Sequence, residues 1–91
     1  MVKVKQLTLD VLKPHYPNVL DFACALCAEG ADYKIGITVV EMDDKTETLE
    51  VIIEGTDVQF DRLLEKIKEL GGSLHSIDEV IVVSGDDDRI D

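Results

Sequence analysis

Residues 33–54 read YKIGITVVEMDDKTETLEVIIE, and this stretch decides the fold. Over residues 33–42, Ile35, Ile37 and Val39 alternate with Thr38, Val40 and Met42, the two-residue period of a strand. Over residues 47–54, Leu49, Val51 and Ile53 alternate with Thr48, Glu50, Ile52 and Glu54. Between the two runs, Asp43-Asp44-Lys45-Thr46 is a polar turn, so the pair reads as a β-hairpin.

Working outward, each side of the hairpin carries a helix pattern and then a strand pattern. On the N-terminal side, residues 18–29 place Val19, Leu20, Phe22, Ala23, Leu26 and Cys27 on one broad arc at about 100° per residue. Asn18 starts this helix after two prolines, and Gly30 is a plausible C′ residue. Residues 4–12 precede it as a half-buried strand with Leu7, Leu9 and Val11 on one face. On the C-terminal side, Thr56 and Gln59 have the spacing of a capping box. Phe60, Leu63, Leu64, Ile67 and Leu70 follow at helical spacing, and Gly71-Gly72 stops the helix. Residues 74–83 form the last strand, whose alternation slips near His75-Ser76 and predicts a bulge there.

The order is therefore βαββαβ, the ferredoxin-like split βαβ arrangement of the α+β class. It predicts a four-stranded antiparallel sheet in order 4-1-3-2 with two helices on one face. Leu7, Leu9, Val11, Leu49, Val51 and Ile53 supply the covered face. The open face should carry Gln6, Thr8, Asp10, Leu12, Thr38, Val40, Met42, Thr48, Glu50, Ile52 and Glu54. Apolar residues among carboxylates there fit a partner surface.

Composition bounds the function classes. Ninety-one residues make one small domain, expected over residues 1–84, with an acidic, flexible tail over 85–91 that includes Asp86-Asp87-Asp88. Twenty acidic and nine basic side chains give a net charge of −11, which nucleic-acid phosphates and anionic membranes repel. A hydrophobic content of 45% suits a folded domain. No apolar run has the length of a membrane span, and residues 1–10 lack a secretion signal, so a cytoplasmic location is expected. With no disulfide framework and a small core, the domain is expected to gain stability by self-association.

Three sets of residues invite chemistry. Cys24 and Cys27 have the CxxC spacing of a soft-metal site for Zn or Cu, but they fall inside a helix, where small packing residues are the simpler reading. Parallel pairing of the first and third strands would set Asp10 near Glu54, with His75 and His15 at the same corner. Such a set could hold a divalent cation (Ca, Mg or Zn), or could be a solvated acidic rim paired with Lys3, Lys5 and Lys13. His75-Ser76-Ile77-Asp78-Glu79 offers an imidazole, a hydroxyl and carboxylates, and an enzyme centred on His75 and Asp10 is an alternative. Neighbours on a strand point to opposite faces, which argues against a nucleophile–base pair of His75 and Ser76.

Several of these segments resemble an archaeal family catalogued as domain of unknown function 211. They are Leu9-Asp10-Val11-Leu12-Lys13-Pro14-His15, then Glu41-Met42-Asp43 with Thr46-Glu47, and Gly71-Gly72-Ser73-Leu74-His75-Ser76-Ile77-Asp78-Glu79-Val80. Gly55 and Asp57 also sit where the family pattern puts them. The resemblance implies a ferredoxin-like fold and a ring-like homo-oligomer, and no activity. Cys24-Ala25-Leu26-Cys27 departs from the polar style of that family's first helix. The expectation is a non-catalytic oligomeric module, with a cation or an unidentified small ligand held between subunits.

Overall fold

The polar turn folds as its residues dictate. Asp43 Oδ1 accepts from the backbone N–H of Lys45 at 2.9 Å and of Thr46 at 2.8 Å, an Asx-type turn. It joins β2 (Lys34–Met42) to β3 (Thr46–Glu54). In the computed structural model, which describes residues 1–85, these two strands are flanked by β1 (Val2–Pro14) and β4 (Ser73–Ser84). Of the expected tail, residues 86–91 lie outside the described part. Helices α1 (Val19–Cys27) and α2 (Phe60–Glu69) complete the order βαββαβ. The sheet runs β2-β3-β1-β4, which is the 4-1-3-2 order, and every neighbouring pair is antiparallel. Among the described residues, no helix is long and apolar enough to cross a membrane.

The expected parallel pairing of β1 with β3 is therefore corrected. The crossover through α1 makes β2 parallel to β1, and the hairpin reverses β3 relative to β2, so β3 must oppose β1. Asp10 accordingly lies opposite Glu50, while Glu54 lies opposite Gln6.

Leu7, Leu9, Val11, Leu49, Val51 and Ile53 are buried as expected, beneath Phe22 and Leu26 of α1 and Leu63 and Ile67 of α2. The buried line of α1 runs between Phe22 and Leu26, so the arc drawn from the sequence was too wide. Leu20 is 70% exposed, about 160° round the helix from Phe22. On β2 the register slips between Val39 and Glu41, a bulge at Val40. The bulge brings Glu41 opposite Thr48 on the open face and sets Met42 opposite Glu47, against the simple alternation that put Met42 on the open face. The expected irregularity of β4 is present: the register slips at His75, and again at Asp78.

Capping also differs from the sequence reading at one end. Asn18 caps α1, its Oδ1 accepting from Asp21 N–H at 2.8 Å. The Thr56–Gln59 capping box does not form, because α2 begins at Phe60 and Gln59 is itself the cap residue. Thr56 donates to the Asp32 carboxylate instead. The Gln59 N–H donates to the Tyr33 hydroxyl at 2.7 Å, a cap supplied from the loop before β2. Gly30 makes room for it: a Cβ there would lie 2.3 Å from the Tyr33 ring. So Gly30, expected as a left-handed helix stop, is needed for close approach and has no positive φ. The left-handed residue is Gly71, φ +88°, at the end of α2. Gly72 N–H reaches Ile67 O at 2.9 Å and Gly71 N–H reaches Lys68 O at 3.0 Å, a Schellman motif.

One charged pair enters the core. Lys13 continues the inward series Leu7, Leu9, Val11, and Glu47 continues Leu49, Val51, Ile53. The two face each other across β1 and β3. Lys13 is 1% exposed, with its Nζ 2.9 Å from Glu47 Oε1. The ammonium donates hydrogen bonds to Pro14 O at 2.7 Å and Pro17 O at 2.6 Å, while its contact with the buried Glu47 Oε1 is an ion pair without hydrogen-bond alignment.

Two outcomes test these packing assignments. Tyr33→Phe should lower the unfolding free energy by about 1 kcal/mol, because it leaves the Gln59 N–H without its acceptor. Urea denaturation reads this, and no change would remove Tyr33 from the cap. Lys13→Met should cost about 3–5 kcal/mol by stranding the Glu47 charge. Adding Glu47→Leu should recover most of that loss; a double variant as unstable as the single would show that packing, not charge, dominates there.

Candidate functional site

The open face centres on Asp10. Its side chain leaves β1 on the side away from the helices, with Glu50 opposite on β3 and Ser76 opposite on β4. The β4 bulge re-aims His75 so that its Nδ1 lies 3.1 Å from Asp10 Oδ2. Asp10 thus orients the ring and leaves Nε2 pointing to solvent. Beside this pair runs a shallow groove of about 370 Å³, lined by Asp10, Leu12, Glu41, Thr48, Ser73, Leu74 and His75. A smaller depression of about 180 Å³ adjoins it, with Val40, Glu50 and Asp78 on its walls.

The remaining polar groups of β4 are committed elsewhere. Ser76 Oγ donates to Asp78 Oδ1 at 2.7 Å, not to His75. Glu79 Oε1 accepts from Thr8 at 3.0 Å and Gln6 at 3.2 Å. Among the described residues, no hydroxyl is held by the His75 ring to form a nucleophile–base pair.

Of the four residues expected to meet, the structure brings together two. Asp10 and His75 touch. Glu54 is four register positions along β3 from Glu50, about 13 Å away, next to Gln6 and Lys34. His15 lies past the end of β1 and belongs to another cluster. Its Nδ1 is 2.9 Å from Glu47 Oε2 and its Nε2 is 2.9 Å from the Asp43 carbonyl. Both ring nitrogens are engaged, leaving none for a metal ion. Among the described residues, no three His, Cys, Asp or Glu side chains converge to hold a metal within one chain. Cys24 is exposed, and Cys27, half-buried, donates its thiol to Tyr33 O at 3.3 Å.

Electrostatics follow these contacts. The hydrogen bond to Glu47, then that to the Asp43 carbonyl, raises the His15 pKa above 6.5. The same His15 contact and the Lys13 ammonium hold the Glu47 carboxyl below its ordinary value. Backbone donors from Lys45 and Thr46 lower Asp43, and the Thr56 hydroxyl lowers Asp32.

In the sequence Glu47 is one of several hairpin acids, yet in the fold it is buried. The signal was its parity: it falls on the inward series, opposite another inward charge. The bulge at β2 was not foreseen, so Glu41 was not placed beside Asp10.

The family model described as "Uncharacterized ArCR", domain of unknown function 211, matches residues 5–87. An uncharacterised protein of Methanocaldococcus jannaschii is 44% identical over 78 residues, covering 86% of this chain and 80% of that protein. The family match spans both helices, the hairpin and the last strand. The chain belongs to the family of domain of unknown function 211.

Proposed function

We propose that this protein is a non-catalytic module that assembles with copies of itself through β4, and that the Asp10–His75 groove receives a divalent cation or a small polar ligand where copies meet. One observation carries the reading. Ile77, Val80, Ile81 and Val82 are each between 43% and 51% exposed, on a strand whose outer edge is unpaired among the described residues. Ile77 and Val80 lie opposite the core residues Leu9 and Leu7, so they stand on the helix-covered side of the sheet where the helices no longer reach. An edge that is both apolar and unpaired is a template for another chain unless something covers it.

The groove fits the second half of the proposal. Asp10 holds His75 Nδ1 and so aims Nε2 outward as one free ligand, with the Glu41 carboxylate lining the same groove. A neighbouring copy would supply the remaining ligands. Carboxylate oxygens suit Ca²⁺ and Mg²⁺, and imidazole suits Zn²⁺. Cations would also relieve the repulsion between chains that carry −11 each.

Multi-angle light scattering at micromolar concentration should show an oligomer that strengthens with salt or divalent cations. Val80→Lys with Val82→Lys should give a folded monomer. A stable wild-type monomer under all these conditions would end the assembly reading. For the groove, calorimetry with Ca²⁺, Mg²⁺ and Zn²⁺ should register binding that Asp10→Asn weakens, and absence of heat with all three removes the cation.

A further inference from the structure

The imidazole of His15 lies between two hydrogen-bond acceptors. Nδ1 faces the Glu47 carboxylate at 2.9 Å, and Nε2 faces the Asp43 main-chain carbonyl at 2.9 Å. A neutral imidazole carries one N–H and one lone pair, so it can satisfy only one of these oxygens. The other would meet lone pair against lone pair. Both contacts together require the imidazolium. Moving the proton to Glu47 is no alternative, because the buried Lys13 ammonium sits 2.9 Å from its other oxygen and keeps the carboxyl ionised.

The ring also sits at a junction. Main-chain pairing of β1 with β3 ends at Pro14 opposite Thr46, and Pro14 has no N–H to extend it. The His15 side chain is the next link from the β1–α1 loop to the β2–β3 turn. We propose that His15 is a protonation-controlled latch, which ties the turn at residues 43–46 to the β1–α1 loop when charged and releases it when neutral.

The charged groups around the ring set which bond breaks. From β3 comes Glu47. From the turn come Asp43, whose carboxylate is held by Lys45 and Thr46 N–H, and the Asp44 backbone. From β1 comes Lys13, which shares Glu47 with the ring. A hydrogen bond to a carboxylate is stronger than one to a neutral carbonyl. On deprotonation, the remaining N–H therefore stays on Glu47, and the Asp43 carbonyl is released. The Lys13–Glu47 pair remains intact, so the turn detaches without opening the core. The ring is 40% exposed and exchanges protons with solvent without unfolding. Its pKa is raised in the folded chain, so the latch's stabilisation is complete below 6.5 and disappears as pH rises through the folded value.

The chain has two histidines, which makes the test direct. In His75→Gln protein, a proton NMR titration should show the His15 ring titrating above 6.5. The backbone amides of Asp44, Lys45 and Thr46 should shift with that same midpoint. Glu47→Gln should move the midpoint back toward 6.5. His15→Gln, an exposed substitution that leaves the core pair in place, should abolish the amide transition between pH 6 and 9 (about the range in which imidazoles titrate). The proposal fails if the His15 midpoint lies at or below 6.5, if the turn amides are silent across it, or if they shift identically in His15→Gln.

Discussion

The Lys13–Glu47 pair is the constraint on which the register of the central strands rests. A lysine and a glutamate lie at inward positions of adjacent strands and face each other directly. Slipping β1 against β3 by one residue would turn the apolar set of one strand to solvent. Slipping it by two would keep the apolar residues inward but separate the charges, stranding each without its partner. Charge desolvation makes that second slip costly, where hydrophobic burial alone would tolerate it. Lys13 also has its two prolyl carbonyls, so the β1–α1 loop must fold back over the same ammonium. Strand register, loop path and turn position are thus set by one buried cation.

A second linkage ties the helices to the hairpin. Tyr33 passes over Gly30, where a side chain would block it, and offers its hydroxyl to the first free N–H of α2. The end of α1, the start of β2 and the start of α2 meet at one phenol. Asp32, the preceding residue, receives Thr56 from the loop before α2. The side chains that look like a local capping box in the sequence are used across the chain. Their local partners are out of reach because the helix starts a turn later.

What the sequence made legible is what depends on periodicity. The hairpin, the two helices, the inward face and the slip at His75 all follow from the spacing of apolar residues, which local geometry controls. What it hid depends on partners distant in the chain. The burial of α1 centres on Phe22 and Leu26 because the sheet lies on that side, a choice that Leu20 and Cys27 could not reveal from spacing alone. Asp10 was paired with Glu54 through a strand direction that the hairpin forbids. Glu47 is one of several acids on the hairpin, and only the pairing of β1 with β3 sets it opposite Lys13. The bulge at Val40 has no turn residue to announce it, and it changes which acid stands beside Asp10.

The acidity of the chain bears on the edge strand β4. β4 has two bulges, at His75 and Asp78, and both fall in the half nearest Ser73. Bulges twist an edge and interrupt its hydrogen-bonding row, which is how sheets protect themselves from unwanted pairing. That half carries the polar groove. The half from Glu79 to Ser84 meets one slip, with the extra residue, Lys5, on β1, and carries Val80, Ile81 and Val82. One strand therefore carries two properties along its length: a bulged segment that borders the Asp10–His75 groove, and an apolar run at Val80, Ile81 and Val82. If copies join along the apolar run, as proposed, chains of net charge −11 approach one another. The like charges then oppose assembly unless something positive lies between them. The net charge of −11 thus couples the two halves: whatever neutralises the groove also lowers the cost of joining the edges.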